Sequence, residues 1–226
     1  QNKAIFFFKT NNPRQNILSP FSEFLILHFQ ILSESDIFAN LVQWISLIIG
    51  LAAVSLICKE FGLGQRLQII SAAFICSLPI VLLQASSTKN DIVASTFILL
   101  FYYYQIILVK RYSINTICFA GLSLGLGILT KGTCYILLFA IGITYFAYLI
   151  AFKIWDIKQI IFRYGIIYSI GLLINLPHYL RNLFQYNDFL GLSILPSLTN
   201  ELFSFGTIFS NLIRHIAYQL GTNINI

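Results

Sequence analysis

Apolar residues run along this chain in long blocks, and polar residues are confined mostly to short gaps between them. A helix that crosses a bilayer needs about 20 apolar residues. Six runs approach that length, at about 37–58, 67–85, 91–109, 114–130, 133–152 and 160–178. The pattern predicts an all-α fold, a polytopic bundle of about six transmembrane helices. Ahead of these runs, the apolar stretch 17–33 is short and is interrupted by Pro20 and Glu23. It suits a juxtamembrane helix, re-entrant or lying in the interface, better than a span. Beyond them, apolar residues at 202, 205, 209, 212, 213, 216 and 220 recur at helical spacing, with Ser204, Thr207, Asn211 and Arg214 on the other side. That spacing predicts an amphipathic helix over 200–220, at the interface or leading into a further span. The chain thus divides into an external loop and juxtamembrane helix (1–36), the bundle (37–178), and a second external loop with the amphipathic helix (179–226).

Lys and Arg in the gaps orient the bundle, because cytoplasmic loops carry the excess of positive charge. The first, third and fifth gaps hold Lys59, Arg66, Lys110, Arg111, Lys153, Lys158 and Arg163, whereas the alternate gaps hold Lys89, Lys131 and Arg181. The first set is expected in the cytoplasm. Residues 1–36 and everything after Arg181 are then outside. Small residues at Gly121, Gly125 and Gly127 form a stripe that lets a neighbouring helix approach closely.

Composition narrows the class further. The chain is 58% hydrophobic and 10% charged, with mean hydropathy +0.80, against roughly 25% charged in a soluble domain. A net charge of +6 does not signal nucleic acid, because the basic residues are neither clustered nor set on a polar face. Cys58, Cys76, Cys118 and Cys134 lie in or beside apolar stretches without ligand-like spacing, so they read as membrane thiols and not as a zinc site or disulfide framework. The chain contains no methionine, opens on Gln1 and shows no signal-peptide pattern, which predicts that it begins inside a longer protein.

Three polar sites then stand out. Ser86-Ser-Thr-Lys-Asn-Asp91 precedes the third run; its Asp would complement a helix dipole, with Ser, Thr or Asn as the cap. Thr130-Lys131-Gly132 joins two runs with a two-residue link, and a lysine in a last turn followed by glycine is also an ordinary helix stop. Pro177-His178-Tyr-Leu-Arg181-Asn182 ends the sixth run, where an arginine can snorkel. Each has this plain explanation. Yet all three fall on the outer side, together with Glu23, and ionisable groups at membrane depth mark functional sites. Cations at headgroup level suit an anionic phosphate, and carboxylates beside them suit a hydroxyl-bearing partner or general-base work. The residues alone reach an outward-facing site for an anionic, lipid-linked ligand.

At these same positions the chain resembles polytopic sugar transferases of the GT-C class, in the branch of protein O-mannosyltransferases and lipid A aminoarabinose transferases and their bacterial relatives. The resemblance runs in order through Arg14-Gln-Asn-Ile-Leu-Ser-Pro20-Phe-Ser-Glu23-Phe, Asp36-Ile-Phe-Ala-Asn-Leu-Val-Gln-Trp44 and Pro79 with Ser86–Asp91. It continues through Gly121-Leu-Ser-Leu-Gly-Leu-Gly-Ile-Leu-Thr-Lys131-Gly132 and Pro177–Asn182, followed by Asn187 and Gly191. It implies a polyprenyl-phosphate-linked sugar as donor and a glycan, lipid or protein as acceptor, with inverting transfer on the outer face of a bacterial plasma membrane. It assigns Lys131 and Arg181 to the lipid phosphate, sets Asp91 beside sugar or acceptor, and puts Glu23 near the donor. His178, Arg14 and Asn90 are further substrate-binding candidates within the same motifs. The family's principal catalytic Asp follows a first span that precedes residue 1, and Asp36 is a poor substitute, so residues 1–226 are expected to be inactive alone. No cofactor is expected: some members of the class use a divalent metal, but no acidic cluster here supports one. A transporter or flippase-like protein and a non-catalytic membrane subunit are the rival readings. The first is disfavoured because the charges sit at helix ends and no internal repeat is visible.

Overall fold

The computed structural model describes residues 17–190 and 204–219. Among them are nine helices and no strand. In chain order these are α1 (Phe21–Ser33), α2 (Leu41–Glu60), α3 (Gln65–Ser77), α4 (Pro79–Ala85), α5 (Asp91–Lys110), α6 (Ile114–Thr130), α7 (Cys134–Ala151), α8 (Ile157–Tyr186) and α9 (Phe205–Gln219). α2, α5, α7 and α8 are long and apolar enough to cross a membrane, and large side chains such as Ile48, Ile136 and Leu173 remain on their outside. In lipid that exposure is favourable, because hydrocarbon accepts apolar surface while the helix satisfies its own backbone.

Two of the six predicted spans differ from expectation. The run at 67–85 is not one helix but the pair α3 and α4, bent by 73°. The cause is local. A residue before proline is pushed out of the α region, and Leu78 is extended (φ −73°, ψ 119°) ahead of Pro79, which then starts α4 at a position where its missing N–H costs nothing. The run at 160–178 also does not end at Pro177. α8 continues through that proline for 30 residues and stops only where Asn187 turns left-handed (φ 54°). At 1.5 Å per residue α8 spans about 45 Å, longer than the hydrocarbon core of roughly 30 Å. Counting the bent pair as one gives up to five spans, and α6, at 17 residues, is the short apolar helix in the middle.

α6 is central because it is small. It packs most extensively on α8 and on α5, and its glycines permit this. A Cβ at Gly121 would lie 2.8 Å from the Ile170 Cβ, and one at Gly125 would lie 2.7 Å from the Ile174 Cδ1 and 3.1 Å from the Gly171 Cα. The expected small-residue seam is therefore the α6–α8 contact. Polar side chains tie the same helices. Asn175 donates to the Gly125 and Gly171 carbonyls (both 2.9 Å), Tyr164 donates to Gln105 Oε1 (2.7 Å), and Thr96 donates to the Ser46 carbonyl (2.7 Å).

The charges segregate to the two ends of this bundle. At one end Glu60 closes α2 and receives Lys110 (3.2 Å) and Arg111 (2.6 Å) from the end of α5. Tyr112, next to Arg111 in sequence, and Trp155 both stack on the Arg163 guanidinium, which lies 4.0 Å from each ring. The other end of α5 begins at Asp91.

Candidate active site at the Asp91 end of the bundle

Asp91 opens α5 and Lys131 follows the last residue of α6. The Lys131 Nζ donates to Asp91 Oδ1, closing an ion pair between residues 40 positions apart. The two side chains are 34% and 35% exposed, so the pair is sheltered yet reachable from outside. Lys131 is extended (φ −157°, ψ 135°), and the link to α7 comprises Lys131, Gly132 and Thr133. This corrects both the two-residue link and the helix-stop explanation: the lysine is not in a last turn, and its charge is used on Asp91.

The capping explanation for Asn90 is likewise overturned. Asn90 holds the N-cap position of α5 but makes no side-chain cap hydrogen bond. Its amide turns outward and donates to the Thr130 carbonyl (3.2 Å) and to Glu23 Oε1 (3.4 Å). One side chain thereby joins α1, the start of α5 and the end of α6. Glu23, Asn90, Asp91 and Lys131, chosen from separate parts of the chain, are thus brought into one constellation.

His178 and Arg181 form a second cluster on α8 with the buried Asn182. Arg181 Nη2 donates to His178 Nδ1 (3.0 Å) and to Asn182 Oδ1 (3.4 Å). They sit on a continuous helix and not in a loop after it. The Tyr135 and Tyr179 hydroxyls, 2.5 Å apart, link this stretch of α8 to the first turn of α7, close to Lys131. Arg14 lies outside the described residues.

A positioning residue escaped the sequence. Gln43 is fully buried on α2; its amide donates to the Lys89 carbonyl, and its Oε1 accepts the Val93 N–H (3.2 Å). It therefore grips both sides of Asp91. The signal was a lone glutamine in an otherwise apolar run, which polar-residue costs in lipid make worth noticing. Gln43→Leu strands a buried N–H and a carbonyl, and we expect it to lower stability by about 2–6 kcal/mol, from roughly 1–3 kcal/mol per unsatisfied group. Thermal unfolding of the detergent-solubilised protein checks this, and activity should fall with it because Asp91 loses its support.

Beside Asp91 lies a cavity of about 640 Å³ between α4, α5 and α9. Its apolar part is Ile80, Val81 and Ile92, and its polar part includes Gln84 and Ser95. Pockets of about 300–1,000 Å³ hold small ligands. Among the described residues no three His, Cys, Asp or Glu side chains gather as a metal cage.

Comparison with known proteins supplies the class. No curated protein and no solved structure matches the chain. One family model does, over residues 19–180, which is well over half the chain and includes Glu23, Asn90, Asp91, Lys131 and His178 but stops just short of Arg181. That family comprises membrane glycosyltransferases of the polyprenyl-phosphate-sugar class. On that match, and with a bundle of apolar helices to carry it, this integral membrane chain belongs to the dolichyl-phosphate-mannose-protein mannosyltransferase family.

Proposed function

We propose that the protein transfers a sugar from a polyprenyl-phosphate donor to an acceptor hydroxyl on the non-cytoplasmic face of its membrane, with inversion at the anomeric carbon. The observation that carries this is the Asp91–Lys131 pair, set with Asn90 and Glu23 at the end of the bundle away from the Glu60–Lys110–Arg111 cluster. Lysine and arginine cluster on that other end, as cytoplasmic ends do. The order of the motifs through the chain supports the branch with bacterial relatives, and so a bacterial plasma membrane.

In the proposed reaction the acceptor oxygen attacks the anomeric carbon as its proton passes to a carboxylate. The bond from that carbon to the phosphate oxygen breaks, and the lipid leaves as polyprenyl phosphate. Asp91 faces the hydroxyls of sugar or acceptor, while Lys131 holds its carboxylate in place through their ion pair. Arg181, steadied by His178 and Asn182, stands on the neighbouring helix as a cation for the departing phosphate.

The test is transfer by the intact protein in membranes given a radiolabelled polyprenyl-phosphate sugar. Label should move to an acceptor fraction and polyprenyl phosphate should appear in equal amount. Lys131→Gln should cut kcat by about 10–100-fold, the worth of roughly 1.4–3 kcal/mol of lost charge-assisted hydrogen bonding, with donor binding weakened less. Label that crosses sealed vesicles still attached to its lipid would instead identify a flippase-like transporter and overturn the proposal.

A further inference from the structure

The cavity beside Asp91 has a wall that lies beyond the residues matched by the family model. α9 begins at Phe205, beyond the matched residues 19–180, yet three of its side chains, Asn211, Arg214 and His215, line that cavity together with Asp91 and Ser95. The spacing i, i+3, i+4 puts these three on one stripe of the helix. Large apolar side chains elsewhere on α9 are exposed, with Phe205 94%, Phe209 65% and Ile216 53%, while Ala217 is buried. The helix packs on α4 and brings these three polar side chains to the cavity, and its exposed apolar side chains suit lipid.

Charge decides what the cavity can hold. Its carboxylate, Asp91, is already balanced by Lys131. Arg214 makes no hydrogen bond or ion pair with any described residue. The cavity thus has an unneutralised guanidinium on one wall, with the His215 ring and the Asn211 amide beside it. The cavity lining on α4 and α5 adds Asp91, Ser95 and Gln84, whose Oε1 has no hydrogen-bond partner among the described residues. A guanidinium recognises a planar or tetrahedral oxyanion through paired N–H donors, whereas a carboxylate with serine and glutamine oxygens recognises hydroxyls. The two walls are chemically distinct.

We infer that Arg214, His215 and Asn211 form a phosphate-ester site on α9, so that a ligand carrying phosphate at one end and hydroxyls at the other lies across the cavity from Arg214 to Asp91. The inference rests on the transferase reading for the hydroxyl end only. It differs from that reading in placing an anion on a helix outside the family match, in addition to Arg181. The phosphate could belong to a lipid or to a soluble ester, and the chemistry of recognition is the same.

Binding of farnesyl phosphate, farnesol and inorganic phosphate to the intact protein in detergent separates the cases. Arg214→Gln should weaken farnesyl phosphate about tenfold or more, the equivalent of one charge-assisted contact, and leave farnesol unchanged. Arg214→Lys should recover most of the loss, which a collapsed fold would not. Inorganic phosphate that displaces farnesyl phosphate at comparable concentration, with the same dependence on Arg214, assigns the site to a soluble ester; displacement only by the lipid phosphate assigns it to a lipid. If Arg214→Gln and Arg214→Gln/His215→Gln bind every phosphate as the parent does, the site does not exist. Arg214-dependent phosphate binding in a protein that moves no sugar would retain the site and remove the transferase reading. Sugar transfer indifferent to Arg214 would do the reverse.

Discussion

Asp91→Asn should reduce sugar transfer by a factor of about 10²–10³, within the range by which positioned carboxylates contribute to proton transfer and charge stabilisation, while the protein stays folded. The substitution keeps the size and one oxygen of the side chain and removes its charge. Its structural cost is small for two reasons. The ion pair with Lys131 is about one-third exposed on both sides, and such pairs contribute little to stability. The favourable placement of a carboxylate at a helix start is also worth only about 0.3–1 kcal/mol. The backbone grip on this turn comes from Gln43 and survives the change. A melting temperature within about 4 °C of the parent, set by roughly 1 kcal/mol in a protein of this size, together with lost transfer, is the expected pair of results. Asp36→Asn is the matched control, since Asp36 is held by Gln30 in the segment before α2. Transfer by Asp91→Asn within a few-fold of the parent would remove Asp91 from the mechanism.

The second large effect is structural. Gly125→Ala should destabilise the bundle by about 1–3 kcal/mol, the usual cost of overpacking, and Gly125→Leu should prevent α6 and α8 from docking. The new Cβ meets the Ile174 Cδ1 at 2.7 Å, which a rotamer change could relieve, but also the Gly171 Cα at 3.1 Å, which is backbone. Relief then requires the helices to separate, and Asn175 would lose its bond to the Gly125 carbonyl. Gly165→Ala provides the contrast. Nothing lies within 4 Å of a Cβ at that helical position, so alanine should be neutral or stabilising by up to about 1 kcal/mol. Thermal unfolding of the solubilised variants ranks the three. Equal melting temperatures for Gly125→Ala and Gly165→Ala would show that the seam is not a tight contact.

The apolar runs, and the gathering of Glu23, Asp91 and Lys131 at one end, were legible in the sequence because bilayer thickness imposes run length and charges are costly except at helix ends. The glycine seam was legible for the same kind of reason, since only small residues allow backbones so close. What escaped depends on direction. Asn90 looked like a cap because its position is a cap position, and only the neighbouring Glu23 and Thr130 reveal where its amide turns. Gln43 gave no sign of its partners, which lie 46 and 50 residues away. The end of α8 was misjudged because hydropathy reports where lipid stops, whereas helix geometry continues through Tyr179, Arg181 and Phe184 to Asn187. The break at Leu78 has a signal in the sequence, the backbone preference of a residue before proline, but a continuous apolar run masks it.

The bend at Leu78 has a bearing on how a greasy substrate could meet a watery one. Breaking a helix between Ser77 and Pro79 interrupts its ladder of backbone bonds, and irregular backbone at membrane depth persists only where protein or a wetted hollow satisfies it. α4, the short arm after the bend, lines the cavity with Ile80, Val81 and Gln84. The kink turns α4 by 73°, so that Ile80 and Val81 give the cavity an apolar part beside Gln84 and Asp91. A polyprenol tail could remain in the surrounding lipid while its headgroup tips sideways into water, and no part of the molecule would need to leave the solvent it prefers.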